Sequence, residues 1–452
     1  MKKILLSVFS IVSLMAFSQY QVGHTTITFN DPTRSGGFGS GGGSGRQIQT
    51  EIYYPAAVAG DNVPVVAGEH PVIVFGHGFA MAWDAYENIW EHYAVQGYVV
   101  AFPRTEGSLF PAPSHGDFGL DLKIVCQKML ALDANSGSIF FQKLNDRAGI
   151  MGHSMGGGAS ILAASGNTAI NTVIGLAPAE TNPSAISAAT GVTAPALIFS
   201  GSADGVTPPN VHHIPIYDGL GSSCKTFVSI TGGGHCYYAN TNFNCDFGET
   251  TSSPNISISR GQQQTITYSV LDPWLDYTLK GDCDAYDEFL NLAGGGSGFT
   301  AESVCLPNPV PVITQNGTIL TSSVSGVAYQ WYLNGNLISG SNSVQHNYTA
   351  VGVYTVEVTH ADGCTTISAP LTINSLSVSV LPNVVPVLSP NPTNGILNIS
   401  NMNEIELEVK VMDISGQEVR FELHDQTLDL CRNAKGVYFI TVNGYNFRIL
   451  KN

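Results

Sequence analysis

The stretch Ala148–Gly158 reads A-G-I-M-G-H-S-M-G-G-G, with Gly152-His153-Ser154-Met155-Gly156 at its centre. Its first four residues have the length and apolar composition of a buried strand. Behind the serine, Ala159–Ala164 reads A-S-I-L-A-A, a run of small and aliphatic residues suited to a helix. A serine placed where a strand turns sharply into a helix sits on a strained backbone and projects its hydroxyl from the sheet. The flanking glycines follow from the close passage of strand and helix, where a Cβ would clash. The helix N-terminus aims free N–H groups and the positive end of its dipole at the same point, which suits a developing oxyanion. Ser154 is therefore the candidate nucleophile.

Short apolar runs recur on both sides of this turn, at Pro71–Phe75, Tyr98–Phe102, Thr172–Leu176, Ala196–Ser200 and Phe227–Ile230. Helical spacing occupies Tyr86–Gln96 and Phe118–Leu132, and Thr265–Leu279 reads as a closing helix kinked or broken at Pro273. This alternation predicts an α/β fold, a mainly parallel sheet covered by helices on both faces, with its site at the carboxyl ends of the strands. Ahead of it, Thr25–Phe29 and Gln47–Tyr54 alternate in the β manner. The glycine-rich Ser35–Gly45 between them reads as a flexible hairpin loop, because no lysine and helix follow as a phosphate-binding loop requires.

Beyond residue 305 the pattern changes to short alternating strands, so two small all-β domains are expected. Residues 306–374 hold the Trp-bearing segment Tyr329–Asn336, which runs into an Asn-Gly turn. They resemble an immunoglobulin-like sandwich with Trp331 as core, and a carbohydrate platform is the alternative for that side chain. A linker at 375–388 leads to a last domain at 389–452.

The 452-residue chain carries a formal net charge of −16, with 12% charged and 43% hydrophobic residues and 49 glycines. The acidic balance excludes nucleic acid and anionic membrane surfaces as partners. Residues 1–18, with Lys2-Lys3 ahead of an apolar run, read as a secretory signal, and no later stretch is long and apolar enough to span a membrane. Residues 19–305 are then the catalytic domain of an exported chain whose eight cysteines can oxidise.

A serine nucleophile needs a base, and the base an orienting acid. Asp204 follows the strand at Ala196–Ser200, and His235 follows Phe227–Ile230 through Gly232-Gly233-Gly234. Both lie just past strand carboxyl ends, and small residues let the imidazole swing over Ser154. His153 points along the pocket wall and is set aside as base. His212 and His213 precede a helix-like stretch, and with His115 they lack metal-ligand spacing. Gly76-His77-Gly78-Phe79 would bring a second backbone N–H, that of Phe79, to join Met155 in an oxyanion hole. Phe79, Trp83, His153 and Met155 are the candidate substrate-binding residues. Neither metal nor cofactor is expected. Cys236 and Cys245 suggest a small staple on the histidine loop, and Cys126 a buried free thiol.

The combined order of G-H-G-F at 76–79, G-H-S-M-G-G-G at 152–158, A-L-I-F-S-G-S-A-D-G-V-T-P at 196–208, I-P-I-Y-D at 214–218 and G-G-G-H at 232–235 resembles one family. It is the dienelactone-hydrolase-like and cutinase-like branch of the α/β-hydrolases that includes poly(ethylene terephthalate) hydrolases. The resemblance implies a monomeric serine ester hydrolase with Ser154, His235 and Asp204 as nucleophile, base and orienter. Its implied substrate is an ester, extending to insoluble aromatic or aliphatic polyester. It also implies a disulfide near the domain's end, where Cys283 and Cys305 lie and Cys224 competes. The chain departs from that branch in having no aromatic residue within Leu176–Ser187. Other readings are a short-chain esterase or lipase, a peptidase or acyltransferase, or a surface adhesion protein with a degenerate hydrolase domain. The P-N-P-T-N-G start at 390–395, V-M-D-I-S-G-Q at 411–417 and K-G-V-Y-F-I at 435–440 resemble the C-terminal sorting domains of type IX secretion, implying that machinery as partner.

Overall fold

The structure, a computed structural model, describes residues 20–375, 385–401 and 407–452. The signal segment at 1–18 and most of the linker at 375–388 therefore lie outside the described residues. The chain divides into two compact units. One comprises residues up to Ile313 with Ser322–Val344 and Thr355–Pro370, and the other holds Thr314–Thr321, Gln345–Tyr354 and Leu371–Asn452.

The first unit is built on one large sheet. Its strands are β1 (Gln21–Asp31), β2 (Gly37–Phe38), β3 (Arg46–Ala56), β4 (Gly60–Asp61), β5 (His70–Gly76), β6 (Val99–Pro103), β7 (Leu144–His153), β8 (Thr172–Leu176), β9 (Ala196–Gly201), β10 (Lys225–Ile230) and β11 (Phe299–Ser303). They lie in the order β11-β10-β9-β8-β7-β5-β6-β3-β1-β4, with β2 on β3. The run from β6 through β5, β7, β8 and β9 to β10 is parallel, and β3 and β11 join its two sides antiparallel. The β1–β3 hairpin closes over the glycine-rich stretch as its composition suggested, and part of that stretch folds back as β2.

Helices α1 (Glu87–Ala94), α2 (His115–Ala131), α3 (Met155–Ala164), α4 (Ala185–Ala189), α5 (His213–Gly219), α6 (Phe243–Ser252), α7 (Arg260–Leu275) and α8 (Cys283–Leu292) follow in chain order. Alternation along β5 shows how both sheet faces are covered. Val72 and Val74 join the core with Phe118, Leu122 and Ile161 from α2 and α3. Ile73 and Phe75 join a second core with Trp90, Leu271 and Phe289 from α1, α7 and α8. A strand buried on both faces must be apolar throughout, which is why Pro71–Phe75 has no polar residue. Pro273 neither ends nor breaks its helix: α7 runs through it into a π-helical turn at Asp276–Lys280.

The chain leaves β5 for β6 on one side, and α2 then carries it back to β7 on the other. β5 and β7 stay paired to Gly76 and Gly152, and the loops leaving their carboxyl ends part at the point where the strand order reverses, the place where open α/β sheets form their sites. Gly76–Phe79 and Ser154 both leave the sheet at that point.

Farther along, Ala328–Leu333 pairs antiparallel with Asn336–Leu337 across Asn334-Gly335, both at positive φ as that turn requires. Trp331 on the first strand is fully buried and its ring N–H donates to Ser343 O at 2.9 Å, which leaves no face for a carbohydrate. In the second unit, antiparallel strands at 387–451 enclose Leu397, Ile399, Val411, Leu428 and Ile440.

Candidate active site

The turn between β7 and α3 places Ser154 at φ 53°, ψ −120°, a conformation costing a non-glycine residue of order 1–3 kcal/mol. Backbone hydrogen bonds hold it there. Ser154 N donates to Leu176 O at 3.0 Å, and Ser154 O accepts from Ala179 N at 2.9 Å and Gly158 N at 3.1 Å. The neighbouring glycines are compulsory, since a Cβ on Gly156 would lie 2.1 Å from Gly76 O and one on Gly152 2.3 Å from Gly156 O. The same crowding presses α3 against the loop after β5, where a Cβ on Gly156 would also lie 2.6 Å from His77 O.

The loops after β9 and β10 bring Asp204 and His235 together across 31 residues of sequence. His235 Nδ1 lies 2.8 Å from Asp204 Oδ2, both side chains essentially buried. Asp204 Oδ1 accepts from Val206 N at 2.9 Å and Thr207 N at 2.8 Å, so the carboxylate is clamped in one orientation. Burial opposes its charge, yet the imidazoles of His235 and His213 and the Thr207 N–H hold it below the usual carboxylate range.

Two further side chains complete this cluster, and sequence reading missed both. Thr207 Oγ1 lies 3.0 Å from Asp204 Oδ2, 2.8 Å from His235 Nδ1 and 2.9 Å from His213 Nε2. His213, set aside above, is fully buried at the start of α5, with Nδ1 2.8 Å from Ser200 Oγ. Burial pushes its pKa down to about 3, against the opposing pull of Asp204. One proton arrangement serves these contacts, with the His235 Nδ1–H shared between Asp204 Oδ2 and Thr207 Oγ1. Ser200 donates to His213 Nδ1, His213 Nε2–H to Thr207, and Thr207 O–H and His235 Nδ1–H to Asp204. His235 is left with an unprotonated Nε2, the form a general base needs. The proline pair after Thr207 was a visible sign of a fixed turn, but nothing local revealed its ring partners.

His153 is placed differently from the pocket-wall role read above. It is fully buried, with Nδ1 2.8 Å from Tyr86 Oη and Nε2 donating to His235 O at 2.9 Å. Tyr86 Oη also accepts from Gly78 N at 2.8 Å. His153 therefore ties the serine turn to the histidine loop and, through Tyr86, to the loop of Phe79. The His153 and His235 rings lie 4.7 Å apart, and His153 is the chain neighbour of Ser154. The Ser154 hydroxyl makes no hydrogen bond among the described residues, a looseness common before substrate binds. Met155 also differs, since its side chain is 2% exposed in the core and only its backbone can meet substrate. Phe79 is 50% exposed. Trp83 packs near Tyr53 and Trp90 and lines, with Phe38, His77 and Arg104, a cleft of about 470 Å³.

The histidine loop is held from behind. Glu249 on α6 accepts from the backbone N–H groups of His235 and of Cys236, the latter at 3.0 Å. Burial pushes its carboxyl above the ordinary value against those two N–H groups. Cys236 and Cys245 are joined, as their spacing suggested. Cys283 and Cys305 are not partners: Cys224 pairs with Cys305, and Cys283 with Cys364. The β10–β11 register explains the first, because Thr226 faces Ser303, and the same register carried two residues further, past Lys225 and Val304, sets 224 opposite 305 on the same face. Cys126 is a buried free thiol. Cys236, Asp246 and Glu249 cluster within 4.8 Å, but the sulfur is in a disulfide, Asp246 pairs with Arg260, and both Glu249 oxygens are in use, so they suit no metal.

A family model described as PET hydrolase-like matches residues 16–253, more than half of the chain. The chain belongs to the PET hydrolase-like family. It is 28% identical over 219 residues to a bis(hydroxyethyl) terephthalate hydrolase of Streptomyces coelicolor, covering 48% of this chain and 60% of that one. It is 35% identical over 92 residues to cutinase 1 of Thermobifida cellulosilytica, 20% of this chain and 34% of the cutinase. The chain thus spans well under the full length of these relatives. Residues 388–452 match the secretion system C-terminal sorting domain, so this family member carries a type IX sorting tail and is exported to the cell surface or medium. Among the described residues no helix is long and apolar enough to cross a membrane.

Proposed function

We propose that the chain is a serine carboxylic-ester hydrolase working through an acyl-enzyme, with 19–305 as its catalytic domain. The observation that supports the reading is the buried 2.8 Å pair of His235 Nδ1 and Asp204 Oδ2, its histidine loop tied through the bond of His153 to the His235 carbonyl to the strand-to-helix turn that holds Ser154 at positive φ. Ser154 Oγ attacks the ester carbonyl as its proton passes to His235 Nε2. The carbonyl oxygen becomes an oxyanion facing the N–H groups of Phe79 and Met155. Collapse breaks the C–O bond to the alcohol, which leaves with the proton from Nε2. Water then attacks the acyl-enzyme, giving its proton to Nε2, and Ser154 departs reprotonated as the acid is released. Asp204 stabilises the imidazolium throughout.

The substrate class follows the relatives: one is named for a terephthalate ester and the others as cutinases. We take polyester, aromatic in particular, as the extended substrate. The test is turnover of p-nitrophenyl butyrate by Ser154→Ala together with fluorophosphonate labelling. The reading requires loss of at least about a thousandfold in kcat and one label per chain at Ser154. Near wild-type turnover, or no label, would overturn it.

A further inference from the structure

We propose that Phe243 and Phe247 form a platform at the rim of the active site that seats the aromatic rings of a polyester chain, an inference resting on the ester-hydrolase reading. These two side chains are 83% and 64% exposed, and they sit one helical turn apart on α6. Their ring centroids are 6.3 Å apart with planes inclined by 22°. Paired, nearly parallel phenyl rings left in water mark a contact surface rather than a core.

What joins them to the site is the anchoring of α6. On its buried side Glu249 holds the backbone of His235, and Cys245 is bonded to Cys236. On its open side Asn244, the neighbour of Phe243, donates to Ala80 O at 2.7 Å. Ala80 follows Phe79, itself half exposed. The helix is thus fastened both to the loop carrying the base and to the loop carrying an oxyanion donor, and it presents two rings between these ties and solvent. Aryl faces pair with aryl faces in offset or edge geometry beyond what area burial alone provides, so a chain of aryl esters is the occupant such a surface suits.

The full chain carrying Ser154→Ala, which cannot consume the surface, is used for adsorption isotherms on amorphous aromatic and on aliphatic polyester films. Adding Phe243→Ser and Phe247→Ser is expected to weaken binding to the aromatic film by about fivefold or more, as two ring contacts imply, and binding to the aliphatic film by less. Phe141→Ser, which removes a part-exposed ring just ahead of β7, at the sheet edge opposite the strand carboxyl ends, is the control and is expected to leave both isotherms in place. Unchanged binding to the aromatic film, equal loss on both films, or equal loss from Phe141→Ser would each overturn the platform. Failure of the parent reading shows separately, as absent ester turnover by the chain with Ser154 intact.

Discussion

Asp204→Asn tests the electrostatic core of the site with almost no change of shape. The orientation of the new amide is dictated by the structure. Asp204 Oδ1 accepts two backbone N–H groups, from Val206 and Thr207, at 2.9 and 2.8 Å. The asparagine oxygen must stay there, because turning the amide would set N–H against N–H in a buried place. The –NH₂ group then occupies the Oδ2 position, 2.8 Å from His235 Nδ1. A donor facing Nδ1 draws the imidazole into the tautomer with its proton on Nε2, and that nitrogen can no longer take the serine proton. The imidazolium also loses its counter-charge. Together these predict a fall in kcat of about 10³–10⁴, or roughly 4–5.5 kcal/mol of transition-state stabilisation. KM should hardly move, because Asp204 does not face substrate. The assay is steady-state p-nitrophenyl butyrate hydrolysis, with circular dichroism confirming the fold. A kcat within about tenfold of wild type would refute the tautomer argument and Asp204 as orienter.

Four further expectations concern stability. Gly156→Ala puts a Cβ against Gly76 O, a backbone atom that cannot yield, and should cost about 3 kcal/mol or more or prevent folding. Gly248→Ala, inside α6 with nothing within 4 Å, should instead stabilise by roughly 0.5–1 kcal/mol; urea denaturation compares the two. Replacing Cys224 and Cys305 together by serine opens a link across 81 residues and should cost about 4 kcal/mol in the same assay. His213 titrates near 6.5 when unfolded and near 3 when folded, so below 6.5 the unfolded chain holds the extra proton. Stability then falls as pH drops from 6.5 toward 3, by up to about 1.4 kcal/mol per pH unit for this one group. His213→Asn should flatten that acid slope, and an unchanged slope would show that His213 is not held neutral.

The serine turn was legible in eleven residues because its causes are local: an apolar strand, glycines where backbones cross, and small residues in the first turns of a helix. The order of Ser154, Asp204 and His235 was legible because each follows its own apolar run, and strands in a parallel sheet end on the same edge. The sorting tail was legible as motifs. Sequence could not decide what depends on which loops meet across the sheet. Thr207 and His213 share the segment after β9 with Asp204 and enter its cluster because that segment folds back on itself, and a polar residue looks the same in sequence whether its partner is water or a buried ring. His153 sits beside the nucleophile yet turns inward, since Tyr86 and the carbonyl of His235 offer its two nitrogens partners there. Cys305 pairs with Cys224 because antiparallel register sets them opposite, and register is a property of two strands together. Sequence carried the nucleophile and the framework of the sheet, and tertiary structure decided the hydrogen-bond partners of the histidines, because those of His153 and His235 join segments the chain keeps far apart and those of His213 depend on how one segment folds back on itself.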